Sequence, residues 1–256
     1  MIYISTNMYK AESFEKVYKI CDKVDFPIGI EVFLMFGDND YYNILKDNIE
    51  KLKKLPITIH EPYYGTDHTY SEGEIFQRTN DYLKLTHEFS VLNPKYMVYH
   101  YNNRKIDDRE KMLEVTRKNL DEFSKYFDFP LLIENVGVKD RDNVLLNQDE
   151  FIEECLNRKE GVLIDIGHAN ANSWKFEKLI SSLKGKIKSY HLHTNDGIKD
   201  EHRSIFEIGK SPMISNILKL IKEYTPNADL VLEYSNYYED KEDLVAEDVK
   251  KLKNLL

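Results

Sequence analysis

The sequence predicts one (β/α)8 TIM barrel, read as a single domain over residues 1–256. Three observations carry that expectation. Short runs rich in β-branched and aromatic residues alternate with amphipathic stretches along the whole chain. There are eight such pairs in 256 residues. No composition shift or linker interrupts the series. Eight parallel βα units joined by right-handed crossovers close into a barrel at about this length; a doubly wound sheet of similar size is the alternative.

The strand candidates are IYIST (2–6), IGIEVF (28–33), ITIH (57–60), YMVYH (96–100), LLIEN (131–135), GVLID (161–165), IKSYHLH (187–193) and DLVLEY (229–234). Each leads into a helical stretch or a loop before one. In ESFEKVYKICDKV (12–24), Phe14, Val17, Ile20, Cys21 and Val24 fall on one face, and Met112, Val115, Leu120 and Phe123 repeat the pattern in the segment from Asp108. Pro27, Pro56, Pro94 and Pro130 stop helices and open the strands that follow.

A hydrophobic fraction of 41% suffices for a sizeable core. No run approaches the roughly 20 apolar residues of a membrane helix and no leader pattern opens the chain, so no membrane partner and a cytoplasmic location are expected. Cys21 and Cys155 lack CxxC pairing and read as reduced thiols on helix faces. A net charge of −9 excludes a chain that coats nucleic acid nonspecifically, leaving room only for a local basic groove. No protein partner is indicated.

A barrel of this kind does its chemistry at the C-terminal ends of its strands, and the ligand-type residues gather there. His60, His100, Glu134 and Asp165 end the third to sixth strands, His191 and His193 close the seventh, and Glu233 comes near the end of the eighth. His168 follows in DIGH, and Asp200 and His202 follow in DEH. Of eight histidines, only His68 and His87 lie elsewhere. Four acids converging on one mouth repel one another unless a cation compensates them. Imidazole and carboxylate together suit zinc, manganese or divalent iron rather than calcium.

The stretches HEPYYG, VYHYN, IENVG, DIGHANA, HLHTNDGIKDEH and VLEYSN resemble the xylose-isomerase-like TIM barrels, which include endonuclease IV (AP endonuclease family 2) and many sugar isomerases and epimerases. The resemblance covers essentially the whole chain. It implies three metal ions held by nine residues, all matched here. His60, His100 and Glu134 would hold the first. Glu134 would bridge to a second with Asp165, His191 and Glu233, and His168, Asp200 and His202 would hold a third. Tyr63 matches an aromatic that the family uses near DNA. His193, on the same strand face as His191, is expected to act behind the ligands or on substrate, with a simple packing role as the alternative, and Glu31 to touch substrate or form a rim salt bridge.

Two chemistries fit that set. A multinuclear hydrolase, with zinc the first choice and manganese or iron as alternatives, would cleave a phosphoester or phosphodiester, abasic DNA being one candidate. The alternative is a single-metal isomerase or epimerase of a sugar or sugar phosphate, with Glu134 and Glu233 as catalytic acid and base. Against DNA repair stands FLMFGDNDYYN after the second strand, which has no basic residue. The FEIG stretch (206–209) also departs from the family's G-E-G.

Overall fold

The computed structural model describes residues 1–207 and 211–256. In chain order the elements are β1 (Ile2–Ser5), α1 (Lys16–Asp22), β2 (Gly29–Phe33), α2 (Asn39–Asp47), α3 (Ile49–Leu52), β3 (Ile57–His60), α4 (Gly73–Glu88), β4 (Met97–His100), α5 (Arg109–Tyr126), β5 (Leu131–Glu134), α6 (Gln148–Asn157), β6 (Gly161–Asp165), α7 (Ile166–Ala171), α8 (Phe176–Leu183), β7 (Ile187–Leu192), α9 (Ser211–Tyr224), β8 (Asp229–Leu232) and α10 (Glu242–Leu255). All eight strands are parallel, each pairs with the next, and β8 returns to β1 to close the barrel. Closure removes the doubly wound alternative. Ile208 and Gly209 of the FEIG stretch lie outside the described residues.

The strands are shorter than expected at the barrel mouth. Thr6, Asn135, His193 and Glu233 lie one residue beyond them, where Thr6 already enters a 3-10 turn. The first helix is also shorter than its apolar pattern, because a 3-10 turn at Ala11–Ser13 precedes α1. Several helices start on side-chain caps: Asp38 for α2, Asp108 for α5, Asn147 with Glu150 for α6, and Asp165 for α7. Each cap gives the first N–H groups of its helix an acceptor.

Strand alternation builds two cores. The outward faces, including Ile4, Ile30, Ile59, Ile133 and Leu232, pack against the helices in one continuous cluster. Inside the barrel, Tyr96, Val98, Leu132 and Leu163 form a small separate cluster, and the ligand-type residues of the mouth lie above it. The register of β7 needs one irregularity to serve both cores. Ile187 packs outward, yet Ser189, two residues on, accepts the Tyr96 hydroxyl inside the barrel at 2.8 Å. A register shift opposite Val162 and Leu163 resolves that conflict and brings His191 onto the inner face. Among the described residues, no helix is long and apolar enough to cross a membrane.

Leu163 is fully buried in the inner cluster and pairs in register with Glu134. Leu163→Ala is expected to cost about 2–5 kcal/mol through the cavity it leaves, and Leu163→Met less than about 1.5 kcal/mol. Urea unfolding midpoints would show this; a wild-type midpoint for the alanine variant would mean that the inner layer does not support the fold.

Candidate metal centre

The barrel mouth gathers all nine candidate ligands, and their donor atoms fall into compact sets. His60, His100 and Glu134 form one; Glu134, Asp165 and His191 another; His168, Asp200 and His202 a third. His60, His191 and Glu233 also converge. Glu134 stands between two of these sets. Its Oε2 lies 2.7 Å from His100 Nε2 and 3.8 Å from His60 Nε2, while its Oε1 lies 3.3 Å from His191 Nδ1.

The histidines are oriented from behind. His60 Nδ1 lies 2.9 Å from the Glu61 carbonyl, His168 Nδ1 3.0 Å from the Asn135 carbonyl, and His202 Nδ1 3.0 Å from the Glu233 carbonyl. A carbonyl can only accept, so each Nδ1 carries the proton and leaves Nε2 with a lone pair for a cation. His100 Nδ1 meets Asn103 Oδ1 at 3.1 Å. That amide is itself fixed, because its Nδ2 donates to the Tyr63 and Thr66 carbonyls. His191 is reversed: Nε2 faces both Glu31 oxygens at 3.1 and 3.2 Å, and Nδ1 faces Glu233 Oε2 at 3.1 Å. In every case one ring nitrogen is held by an acceptor and the other points at a carboxylate of its set, which is how metal-binding imidazoles are oriented.

Local structure supplies the remaining positions. Asp165 ends β6, and its Oδ1 caps α7 by accepting the His168 N–H at 2.5 Å, so DIGH places both residues with one turn. Asn135 and Asp165 exchange side-chain and backbone hydrogen bonds at 2.8 and 2.9 Å, joining the ends of β5 and β6. Gly167 makes room beside them: a Cβ there would sit 1.9 Å from the His193 ring. The loop after β7 is closed by a two-way backbone pairing of Thr194 with Arg203 at 2.9 Å, which returns Asp200 and His202 to the mouth. His202 takes a φ of 48°, a costly conformation for its side chain, and its carbonyl accepts the Ser235 N–H.

Electrostatics fit the same arrangement. Burial disfavours charge on His191, but Glu233, Glu31 and Glu134 outweigh it and hold this imidazole well above its usual range. Burial likewise opposes charge on His202, yet Asp200 and Glu233 push it up to about 10. His60 goes the other way, lowered by burial and by His100. Burial would raise Asp200, but His202 and His168 pull it well below the carboxylate range. Protons on histidines thus stand where cations would otherwise balance the acids. Among the described residues, His191 Nδ1 and Asp200 Oδ1 are buried without a hydrogen-bond partner, although opposing groups lie within 3.1 and 2.9 Å. Near contacts that lack hydrogen-bond geometry are what a donor set aimed at a cation leaves, so these residues fit divalent metal.

The three residues expected around the ligands take different places. Tyr63 lines the cavity of about 400 Å³ above the centre. Glu31 and His193 do not line it. Glu31 is fully buried beneath His191, so the rim salt bridge becomes an interior pair. His193 is fully buried too, with Nε2 2.9 Å from Asp165 Oδ2 and its ring stacked on His202 at 3.8 Å. Sequence reasoning missed Lys10 and Arg141, which line the cavity. It also missed Glu61, whose carboxylate accepts the His100 N–H at 2.8 Å and meets His68 Nε2 at 2.8 Å. An acid directly after a strand-end histidine, in HEPYYG, was the available signal for Glu61.

A family model described as a xylose isomerase-like TIM barrel matches residues 28–255. No curated protein sequence matches the chain. Among solved structures, an L-ribulose 3-epimerase superposes with a TM-score of 0.74 at 16% identity, covering 99% of this chain and 93% of its own. A D-allulose 3-epimerase from Methylomonas sp. reaches 0.71 at 12% identity, with 100% and 96% coverage. An AP endonuclease of family 2 from Brucella melitensis reaches 0.68 at 14%, with 96% and 98%. All three are named as enzymes, and likeness at such identity shows the fold.

If Glu31 orients His191, Glu31→Gln should weaken divalent-metal binding about 10- to 100-fold. Competition with a chromogenic chelator would measure this, and unchanged affinity would reduce Glu31 to a packing residue.

Proposed function

The chain belongs to the family of xylose isomerase-like TIM barrels, and we propose that it is a multinuclear metal-dependent phosphoester hydrolase of that family. The observation that carries this reading is the pair of faces on Glu134: one carboxylate oxygen serves the His60 and His100 set and the other meets His191. A carboxylate shared in this way suits neighbouring ions. The separate set of His168, Asp200 and His202 would be surplus in a one-metal enzyme.

In this reading His60, His100 and Glu134 hold one ion, Glu134, Asp165, His191 and Glu233 a second, and His168, Asp200 and His202 a third. Zinc is the first choice for such nitrogen and oxygen donors, with manganese or iron as alternatives. Divalent ions there would supply Lewis-acid charge to a phosphoryl group and make water nucleophilic at neutral pH. The chain's own residues prepare the centre. Carbonyls behind His60, His168 and His202 fix their tautomers, Glu31 and His193 steady His191 and Asp165 from below, and Asn7 Nδ2 reaches Glu233 Oε1 at 3.4 Å. Tyr63 forms a wall against His100, with ring centres 5.4 Å apart.

Charge balance supports the choice. Glu31, Glu61, Glu134, Asp165 and Glu233 are buried carboxylates, and Asp200 adds a sixth whose side chain is 10% exposed. Three dications match the charge of these six carboxylates and one does not. With Lys10 and Arg141 on its walls, the three-ion cavity is positive and suited to an anionic ester. Lacking a basic β2 loop, the protein has little for a duplex backbone to grip, so a small phosphoester is favoured over abasic DNA.

A second reading keeps one observation of its own. Glu134 and Glu233 both line the cavity and flank His191 Nδ1 at 3.3 and 3.1 Å, as the acid and base of a sugar epimerase would, and epimerases are among the structural neighbours. Assays on metal-reconstituted protein separate the two. Hydrolysis of bis(p-nitrophenyl) phosphate, in preference to incision of an abasic duplex, is expected, with a loss of about 100-fold or more in His202→Ala. Epimerisation of a ketohexose that survives His202→Ala, with no ester cleaved, would replace this reading with the second.

A further inference from the structure

The loop between β5 and α6 brings Arg141 to the cavity wall, in a 3-10 turn at Lys139–Arg141. The loop is tied down from both sides. On the β6 side, Asn172 Oδ1 accepts the Lys139 N–H at 3.0 Å, and its Nδ2 donates to the Gly137 carbonyl at 2.8 Å. On the β4 side, Asn102 Nδ2 donates to the Asn143 carbonyl at 3.0 Å, and the Ile106 N–H donates to the Asp142 carbonyl at 2.9 Å. Within the loop, the Val138 N–H donates to Asn143 Oδ1 at 2.8 Å. Gly137 allows that closure, with φ of +86° and space so tight that a Cβ would lie 2.2 Å from the Asn143 carbonyl oxygen.

What this loop presents is one guanidinium. Arg141 Nη1 donates to Asp200 Oδ2 at 3.1 Å, on the side of the carboxylate away from His202. Among the described residues its guanidinium has no other hydrogen bond or ion pair, and the side chain is 50% exposed. A guanidinium carries five N–H donors in a planar fork, so one edge is occupied and the rest is open.

We propose that Arg141 is a substrate-binding residue that grips a phosphate oxygen of the ester beside the set of His168, Asp200 and His202. This rests on the phosphoester reading and narrows it: the substrate presents phosphate oxygens to the β5–α6 side of the mouth. Charge-assisted, fork-like contacts of arginine with phosphate are both strong and directional. The tied loop lowers the ordering cost of making such a contact.

Calorimetric titration of metal-reconstituted protein with inorganic phosphate tests this, with acetate as a second probe and the metal content of each sample measured. Wild type is expected to bind phosphate in preference to acetate. Arg141→Gln should weaken phosphate about 10- to 100-fold at unchanged metal content, and Arg141→Lys, which keeps the charge, should fall between. Equal phosphate affinity in wild type and Arg141→Gln would overturn the assignment while leaving the hydrolase reading in place. Loss of metal from both variants would also overturn it, making Arg141 a positioning residue for Asp200. Tighter acetate binding would reject phosphate as the group it reads. No phosphate binding by loaded wild type would remove the phosphoester reading itself.

Discussion

The burial of carboxylates at one end of the barrel is the constraint on which the rest of this structure depends. Glu31, Glu134, Asp165, Asp200 and Glu233 lie in or just beneath the mouth. Removing one such charge from water costs several kcal/mol unless something opposes it. Hydrogen bonds from Asn7, the His168 N–H and Arg141 reach only parts of this cluster. The larger compensation comes from imidazoles held partly as cations, and that is a role divalent ions would take over with greater charge in the same space. The strand register, the bulge that turns β7 and the cap that begins α7 all act to bring those imidazoles to the acids.

Much of this was legible in the sequence because it follows a short period. The β-rich runs that lead into them placed the histidines at 60, 100 and 191 at strand ends. DIGH was readable as an acid and a histidine one turn apart, since a capping aspartate and the residue three later share a turn. The family model and the structural neighbours agree with the resemblance carried by these same stretches.

What was not legible depends on long-range placement. Glu31 read as a rim residue, because nothing in GIEVF says how far down the barrel its carboxylate lies; register with Ser5 and Thr58 sets that depth. His193 read as an open question, and stacking on His202 answers it with a partner from the far end of the same loop. Arg141 gave no signal, since its turn lies in an irregular loop fixed by Asn102 and Asn172, residues from two other βα units. The strand ends were overrun by a residue or two because β-forming side chains continue past the point where parallel pairing stops.

The centre thereby separates two kinds of side chain that sequence patterns treat alike. Those facing the cavity, such as Glu134 and Glu233, line the space open to a ligand, and those beneath, such as Glu31 and His193, contact the groups above them. Under the proposed reading, the number of ions separates a hydrolase from an epimerase. The most direct test is the metal-to-protein ratio of reconstituted protein by inductively coupled plasma mass spectrometry, alongside Asp200→Asn. A ratio near three that falls to about two in the variant is expected if the set of His168, Asp200 and His202 fills separately from the two that share Glu134. A ratio near one, unchanged by the substitution, would contradict the multinuclear centre.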